Sequence, residues 1–270
     1  MTLIKKFRLF IVAIAIHFIL IPLNVFSQGE QILPGTSIRV LCYNIRFGEL
    51  ASLKELAAFI RSMDPDLVAL QEVDVKTYRP NLDHHHGKDF ITELGHYTGM
   101  FSAYGRTIDH AGGYYGIGIL SKYPFSQTKR IFLPMPQGAR EQRAFLTADI
   151  ELPGKQQITF VSTHLDHSTS DVRQTQVEYF NNILKDNPFP VIIAGDFNAR
   201  PDSPEIEFGM TGWKRACTNE FTSPSNSPRS KIDYIFCYPA DKWEIIKNST
   251  HLLKLSDHLP VFSELKLITE

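Results

Sequence analysis

Cysteine is scarce in this sequence: Cys42, Cys217 and Cys237 are the three present among 270 residues. They form no CxxC pair and no Cys/His zinc spacing, which excludes a disulfide-stapled scaffold and a structural zinc site. An odd number leaves at least one free thiol or an intermolecular bond if the chain is exported. Cys42 and Cys237 lie in apolar, strand-like runs and read as small buried hydrophobes. A basic block is also missing. Lys+Arg total 28 against 29 Asp+Glu, so the footprint of a protein that grips duplex phosphates is absent and nucleic acid is not favoured as a partner. Low-complexity segments and repeats of solenoid length are absent too.

What is present is a chain that is 43% hydrophobic and 21% charged, enough for a large core in one domain. Its start differs from the rest. Lys5, Lys6 and Arg8 precede an apolar run from Leu9 to Leu23, and Val25 and Ser27 suit the −3 and −1 places of a cleavage site. The pattern predicts a signal peptide over 1–27 and a catalytic domain over 28–270. An uncleaved anchor is the alternative, but the run is short for a span and carries His17 and Pro22. Cleavage would leave 25 Lys+Arg against 29 Asp+Glu, a net charge of −4. The mature chain is expected to be periplasmic or extracellular, monomeric, and without an integral membrane segment.

Short apolar, β-branched runs predict strands at Ser37–Arg46, Leu67–Leu70, Tyr115–Leu120, Phe145–Glu151, Gln157–Thr163, Pro190–Ala194, Lys231–Tyr238, Trp243–Lys247 and Leu259–Leu267. Helical spacing predicts helices at Leu50–Ser62, Asp89–Leu94 and Ser170–Lys185. Residues 74–88, 102–114 and 201–230 read as rim loops. Two packed sheets flanked by helices fit this order.

The strand ends carry the chemistry. Asn44 closes the first strand, Glu72 the second, His164 a third, and Asp196 with Asn198 a fourth. Asp233 sits within a fifth run, and Asp257-His258 precedes the last. Residues two apart on an extended chain point to one side, so VIIAGDFNA aims a carboxylate and an amide together. Each residue alone has an ordinary reading as turn former, solvated carboxylate or core histidine. Their joint occurrence in this order carries the inference.

The stretches LCYNIRFG, LVALQEVD, GIGILSKYP, VSTHLDH, IIAGDFNA, KIDYIF and LSDHLPV together resemble the endonuclease/exonuclease/phosphatase superfamily over about residues 38–262. The resemblance implies an α/β four-layer sandwich: two mixed β-sheets packed face to face with helices outside. It implies a Mg²⁺-dependent phosphoesterase (with Mn²⁺ a substitute) that uses an activated water for in-line attack on a phosphate ester. Glu72 would be the main metal ligand, with Asn44 and Asp257 beside it. Asp196 would orient or deprotonate the water, and Asn198 would hold phosphate or water. His258 would contact the scissile phosphate with Asp233 as its partner. His164 matches the second histidine of the deoxyribonuclease and sphingomyelinase branches. The base could instead be His258, the leaving group could be protonated by His164 or a cation-held water, and one or two metals fit. A small or lipid head-group substrate is favoured, with an extracellular nuclease and a catalytically inactive binding protein as alternatives.

Four further features remain. Asp83-His84-His85-His86 reads as a solvated loop, and Gly112–Gly116 as a close turn rather than a phosphate cradle. Arg143 and Tyr115 are candidate substrate contacts. Arg173 reads as facing solvent from its helix.

Overall fold

The alternation in Ser37–Asn44 shows how the layers form. Val40 and Cys42 face one way into the larger core, while Leu41 and Tyr43 face the other way into a second core. A strand buried on both faces reads as a continuous apolar run, which is the pattern RVLCYN presents. The computed structural model describes residues 37–268, so the predicted signal peptide over 1–27 and the first residues of the predicted catalytic domain lie outside the described residues.

The elements run β1 (Ser37–Asn44), α1 (Leu53–Met63), β2 (Leu67–Val75), α2 (Phe90–Thr98), β3 (Phe101–His110), β4 (Gly113–Ser121), β5 (Phe125–Phe132), β6 (Ala144–Glu151), β7 (Gln157–His164), α3 (Ser170–Leu184), β8 (Val191–Asp196), α4 (Pro204–Glu207), β9 (Lys214–Arg215), β10 (Asp233–Tyr238), β11 (Trp243–Thr250) and β12 (Val261–Leu267). One six-stranded sheet has the order β11-β12-β1-β2-β4-β3, and the other β5-β6-β7-β8-β10-β9. Each is mixed, because β1–β2 and β7–β8 are parallel and their other pairings antiparallel.

The inner faces of both sheets meet in a core that includes Val40, Ala69, Ile117, Phe160 and Ile192, and α3 adds Val177 and Phe180. Helices α1 and α2 cover the outer face of the first sheet through Leu56, Ile60, Phe90 and Leu94. Helix α1 begins with a reciprocal capping box between Ser52 and Glu55, which satisfies two otherwise orphaned amides. The expected four-layer sandwich is therefore the fold. No helix among the described residues is long and apolar enough to cross a membrane. All three cysteines are free and buried.

The structure corrects several expectations. Residues 102–114 are not a rim loop: most of them form β3, which pairs with β4 through the turn at Ala111 and Gly112. Gly113 is needed there because a Cβ would lie 2.3 Å from the Lys76 backbone. Strand β5 was not expected; its consecutive residues SQTKR are exposed on both faces, without the apolar signal of a buried strand. His85 is buried rather than solvated. Its Nε2 lies 3.0 Å from the Gly48 carbonyl and 3.3 Å from that of Ala51, and contacts with two acceptors make Nε2 the protonated nitrogen. Arg173 is also buried, with Nε 2.6 Å from Glu205 Oε1, so its charge serves the interior of the fold rather than an exposed helix face.

Candidate active site

The parallel pairs bring the polar strand ends to one edge. Asn44 pairs with Gln71 at the end of β1–β2. His164 pairs with Asp196 at the end of β7–β8, and Asp233 lies opposite Asp196 across β8–β10. Across the sheets, Asn44 Nδ2 donates to Glu72 Oε1 at 2.9 Å and to Asp196 Oδ2 at 3.1 Å. One amide thus bridges carboxylates 124 positions apart in the chain. Asn44 Oδ1 accepts from the Arg46 amide at 3.0 Å, which fixes which way the carboxamide faces. Ser256 Oγ donates to the Asn44 carbonyl at 2.7 Å and ties the Ser256–His258 segment to the same edge.

His258 Nδ1 lies 3.0 Å and 3.1 Å from the two oxygens of Asp233. Its Nε2 points to Asp196 Oδ2 at 3.8 Å. Burial acts to discharge the ring, but the Asp233 and Asp196 charges outweigh it and raise the imidazolium pKa to about 10. A charged His258 therefore presents an Nε2–H donor to the cleft. Asp196 shifts the other way from an ordinary carboxylate. Burial and the Asp233 charge push its pKa up, while His258, the Asn198 amide and Asn44 act downward.

His164 is neutral: burial and then the Arg143 charge hold its pKa well below the usual imidazole range. Arg143 Nη1 lies 3.0 Å from His164 Nδ1. Guanidinium can only donate, so Nδ1 accepts and the proton of neutral His164 resides on Nε2. That nitrogen faces Asp196 Oδ2 at 3.4 Å. Asn198 Nδ2 is 3.2 Å from the same nitrogen and 3.0 Å from the Leu165 carbonyl. The tautomer makes the first a donor-to-donor contact and the second the hydrogen bond. Arg143 thus stands behind His164, and Tyr115 lies buried near both Arg143 and Glu72, its hydroxyl pKa raised by burial and then by the Glu72 charge.

Glu72 differs from these groups. Asn44 is its one hydrogen-bonding partner among the described residues. Burial pushes its carboxyl pKa up, against the downward pull of that hydrogen bond and of His258. Asp257 is partly exposed and pairs with Arg46 Nη1 at 2.5 Å. Two under-compensated carboxylates supply the hard oxygen donors that a small divalent cation prefers. The chemistry of Glu72 and Asp257 therefore fits the cation that the motifs imply. Asp196, Asp233 and His258 also have ligand atoms within 4.8 Å of one another, but His258 Nδ1 is committed to Asp233 as a donor.

Backbone strain gathers at this edge. Glu72 has φ +58°, Asn198 +49°, and Arg46 and Phe47 +42° each. Such residues cost on the order of 1–3 kcal/mol apiece and persist where the surroundings over-determine them. Sequence reasoning did not single out Arg46 or Asp166. Asp166 accepts the backbone amides of Arg140, Glu141 and Ser168, holding the segment that leads to Arg143. Its place two residues after His164 in VSTHLDH was the available signal.

Solved structures share this architecture. The endonuclease/exonuclease/phosphatase from Bacteroides vulgatus is 19% identical, with 86% of this chain and 100% of that chain covered and a TM-score of 0.72. The Bacteroides thetaiotaomicron mannosyl-6-phosphatase is 17% identical over 84% of this chain and 99% of that one, with a TM-score of 0.67. The human Nocturnin catalytic domain with bound sulfate is 18% identical over 86% and 95%, with a TM-score of 0.63. At these identities the likeness speaks for the fold. The family model of the Endonuclease/Exonuclease/phosphatase family matches residues 41–258, from within β1 to His258. The chain belongs to that family of phosphoester hydrolases.

Proposed function

We propose that this protein is a Mg²⁺-dependent phosphoesterase that hydrolyses a small or head-group phosphate ester by in-line attack of water. The observation that carries the reading is the polar path Asp233–His258–Asp196–Asn44–Glu72 across the ends of both sheets, hydrogen-bonded at each step except the 3.8 Å charge contact from His258 to Asp196. Glu72 and Asp257, with Asn44 beside them, would hold the cation, and the family is generally dependent on divalent metals. When bound, the cation supplies Lewis-acid neutralisation of phosphate charge.

The protein's own groups divide the remaining work. Asp196 accepts the proton of the attacking water, a task suited to a carboxylate whose pKa is raised toward neutrality. Charged His258 donates from Nε2 to a non-bridging oxygen as negative charge grows there. Asp233 fixes the orientation of His258 and its charge. His164 offers Nε2–H to the phosphate, oriented from behind by Arg143, and Asn198 supports the Asp196–His164 edge. Tyr115 lines the Glu72 side. The protein is read as exported and monomeric, acting in the periplasm or outside the cell.

Turnover of bis-p-nitrophenyl phosphate and p-nitrophenyl phosphate by the purified protein tests this reading. Activity should require Mg²⁺ or Mn²⁺ and vanish with chelator. No turnover under any of these conditions, in protein that binds the cation and is folded, would leave the binding-protein alternative standing. Steep strengthening of DNA binding at low salt would favour the nuclease.

A further inference from the structure

Beside the polar path, with Asp257 in its wall next to His258, lies a cavity of about 480 Å³ whose walls also include Arg46, Glu49, Ser225, Asn226 and Lys254. Its volume is in the range of small-molecule sites. Resting on the phosphoesterase reading, we propose that this cavity receives the alcohol portion of the substrate, that this portion is polyhydroxylated, and that Arg46, Asn226 and Lys254 select it.

The chemistry of the walls carries the substrate class. No aromatic ring lines the cavity, and its apolar residues are Leu50 and Pro224. A nucleobase would find no stacking platform, and an acyl chain would find little apolar surface to cover. What remains is a set of donors and acceptors of both signs: guanidinium, ammonium, carboxylate, carboxamide and backbone. Hydroxyl groups satisfy both kinds of partner, since each donates once and accepts twice. Arg46 is shared between Glu49 Oε2 and Asp257 Oδ2, each at 2.5 Å. Lys254 has no ion-pair partner recorded among the described residues. The site is thus charge-mixed and suits a neutral polar group better than a second phosphate.

The wall that carries Arg46 is preorganised. Its left-handed backbone is held from three directions: Asn44 Oδ1 caps the Arg46 amide, the Arg79 guanidinium lies 3.9 Å from the Phe47 ring centroid, and His85 Nε2 contacts the Gly48 and Ala51 carbonyls. Arg79 is itself fixed by Asp74, with Nε 2.6 Å from Oδ2. On the opposite wall, Ser225 Oγ donates to the Ser256 carbonyl at 2.6 Å and the Ser225 amide to the Asp257 carbonyl at 2.7 Å. Both walls are therefore tied to the segment that carries Asp257 and His258, so that a group seated between them is held in register with the phosphate.

Two measurements test the proposal. The first compares glycerol phosphate, a hexose 6-phosphate, an inositol monophosphate and a nucleoside 5′-monophosphate with p-nitrophenyl phosphate, in the presence of Mg²⁺. The wild type should favour the cyclic polyol phosphates over the nucleotide by about tenfold or more in kcat/KM. Asn226→Ala and Lys254→Ala should each lower that preference about tenfold through KM. Their losses on p-nitrophenyl phosphate should be smaller than on the polyol phosphates, because the nitrophenyl group lacks the hydroxyls these side chains would bind. Equal losses on both substrate types, or a preference for the nucleotide, would overturn the assignment.

The second measurement uses His258→Ala as a slow background for calorimetry with Mg²⁺. The hexose phosphate should bind more tightly than inorganic phosphate, and Asn226→Ala in that background should remove the difference. Absence of any difference overturns the subsite. Failure of the hydrolase reading itself shows separately, as a wild-type protein that turns over no phosphate ester.

Discussion

At the edge where the sheets meet, the second sheet delivers polar groups that already have partners, one of them His258 from the segment that leads into β12 of the first sheet. Asp233 faces His258, Arg143 faces His164, and Asn198 holds the Leu165 carbonyl. The first sheet delivers Glu72, whose recorded donor is one neutral amide, beside Asp257, which borrows Arg46 from Glu49. Three of the four left-handed residues at the site, Arg46, Phe47 and Glu72, also lie on the first-sheet side. The contrast teaches a division of labour. One side has a settled arrangement of protons and charges, and the other has negative charge in surplus, held in strained backbone.

The largest effect should come from breaking the settled side. His258→Ala and Asp196→Ala should each lower kcat/KM for bis-p-nitrophenyl phosphate by at least ~10², since each removes an interaction formed as the transition state charges. The double variant should lose little more than the worse single, because the two groups act on one phosphate and one water. Near-normal turnover in either single variant would end the assignment of roles.

Breaking the other side should give a different signature. Mg²⁺ should raise the melting temperature of the wild type, as any ligand of the folded state does, and should leave Glu72→Gln unmoved. Without Mg²⁺ the order should reverse. Glu72→Gln relieves a half-buried carboxylate with one neutral donor, so it should equal or exceed the wild type in stability, by up to about 1 kcal/mol. A Glu72→Gln protein that still responds to Mg²⁺ would move the cation to the Asp196, Asp233 and His258 group.

The two sides were not equally legible in the sequence. The apolar run followed by a polar tip marks Asn44, His164 and Asp196, because a strand buried on both faces must end before it can display a polar group; Glu72 does not close its strand as expected but sits within β2, at the irregularity between Leu70 and Val73. The sheet centres were legible for the same reason. The edge strands were not: β5 lies at the sheet edge with no fully buried residue, so its residues show no continuous apolar signal. Polar residues buried by distant partners were equally hidden. His85 owes its burial to carbonyls 37 and 34 positions away, and no local period in DHHHG reports that. Arg46 was hidden because its role depends on a left-handed backbone that an arginine does not announce.

A smaller effect should appear in the pH profile. Asp196 must be ionised to act as base, and its pKa is raised, so kcat/KM should climb as pH rises through that value. His258 must be protonated, and its pKa is raised to about 10, so activity should fall as pH rises through that region. Asp233→Asn removes the charge that stabilises the imidazolium. The alkaline limb should then move down toward the ordinary histidine range, while the acid limb should move down as well, because Asp233 also raises Asp196. An alkaline limb unmoved in Asp233→Asn would assign it to another group.

The smallest effect on catalysis, though not on folding, should come from Arg173. Its guanidinium pairs with Glu205 and donates from Nη1 to the Asp166 carbonyl at 3.3 Å. Asp166 in turn anchors the segment leading to Arg143, which orients His164. Arg173→Met strands a buried Glu205 carboxylate and should destabilise the fold by about 3–5 kcal/mol in urea melts. Asp166 keeps its own amide donors in that variant, so kcat/KM per folded molecule should remain within about threefold. A larger loss in fully folded protein, accompanied by an altered pH profile, would mean that the settled side is tuned from as far away as α4. The contrast between the sheets would then rest on a wider network than the residues at the cleft.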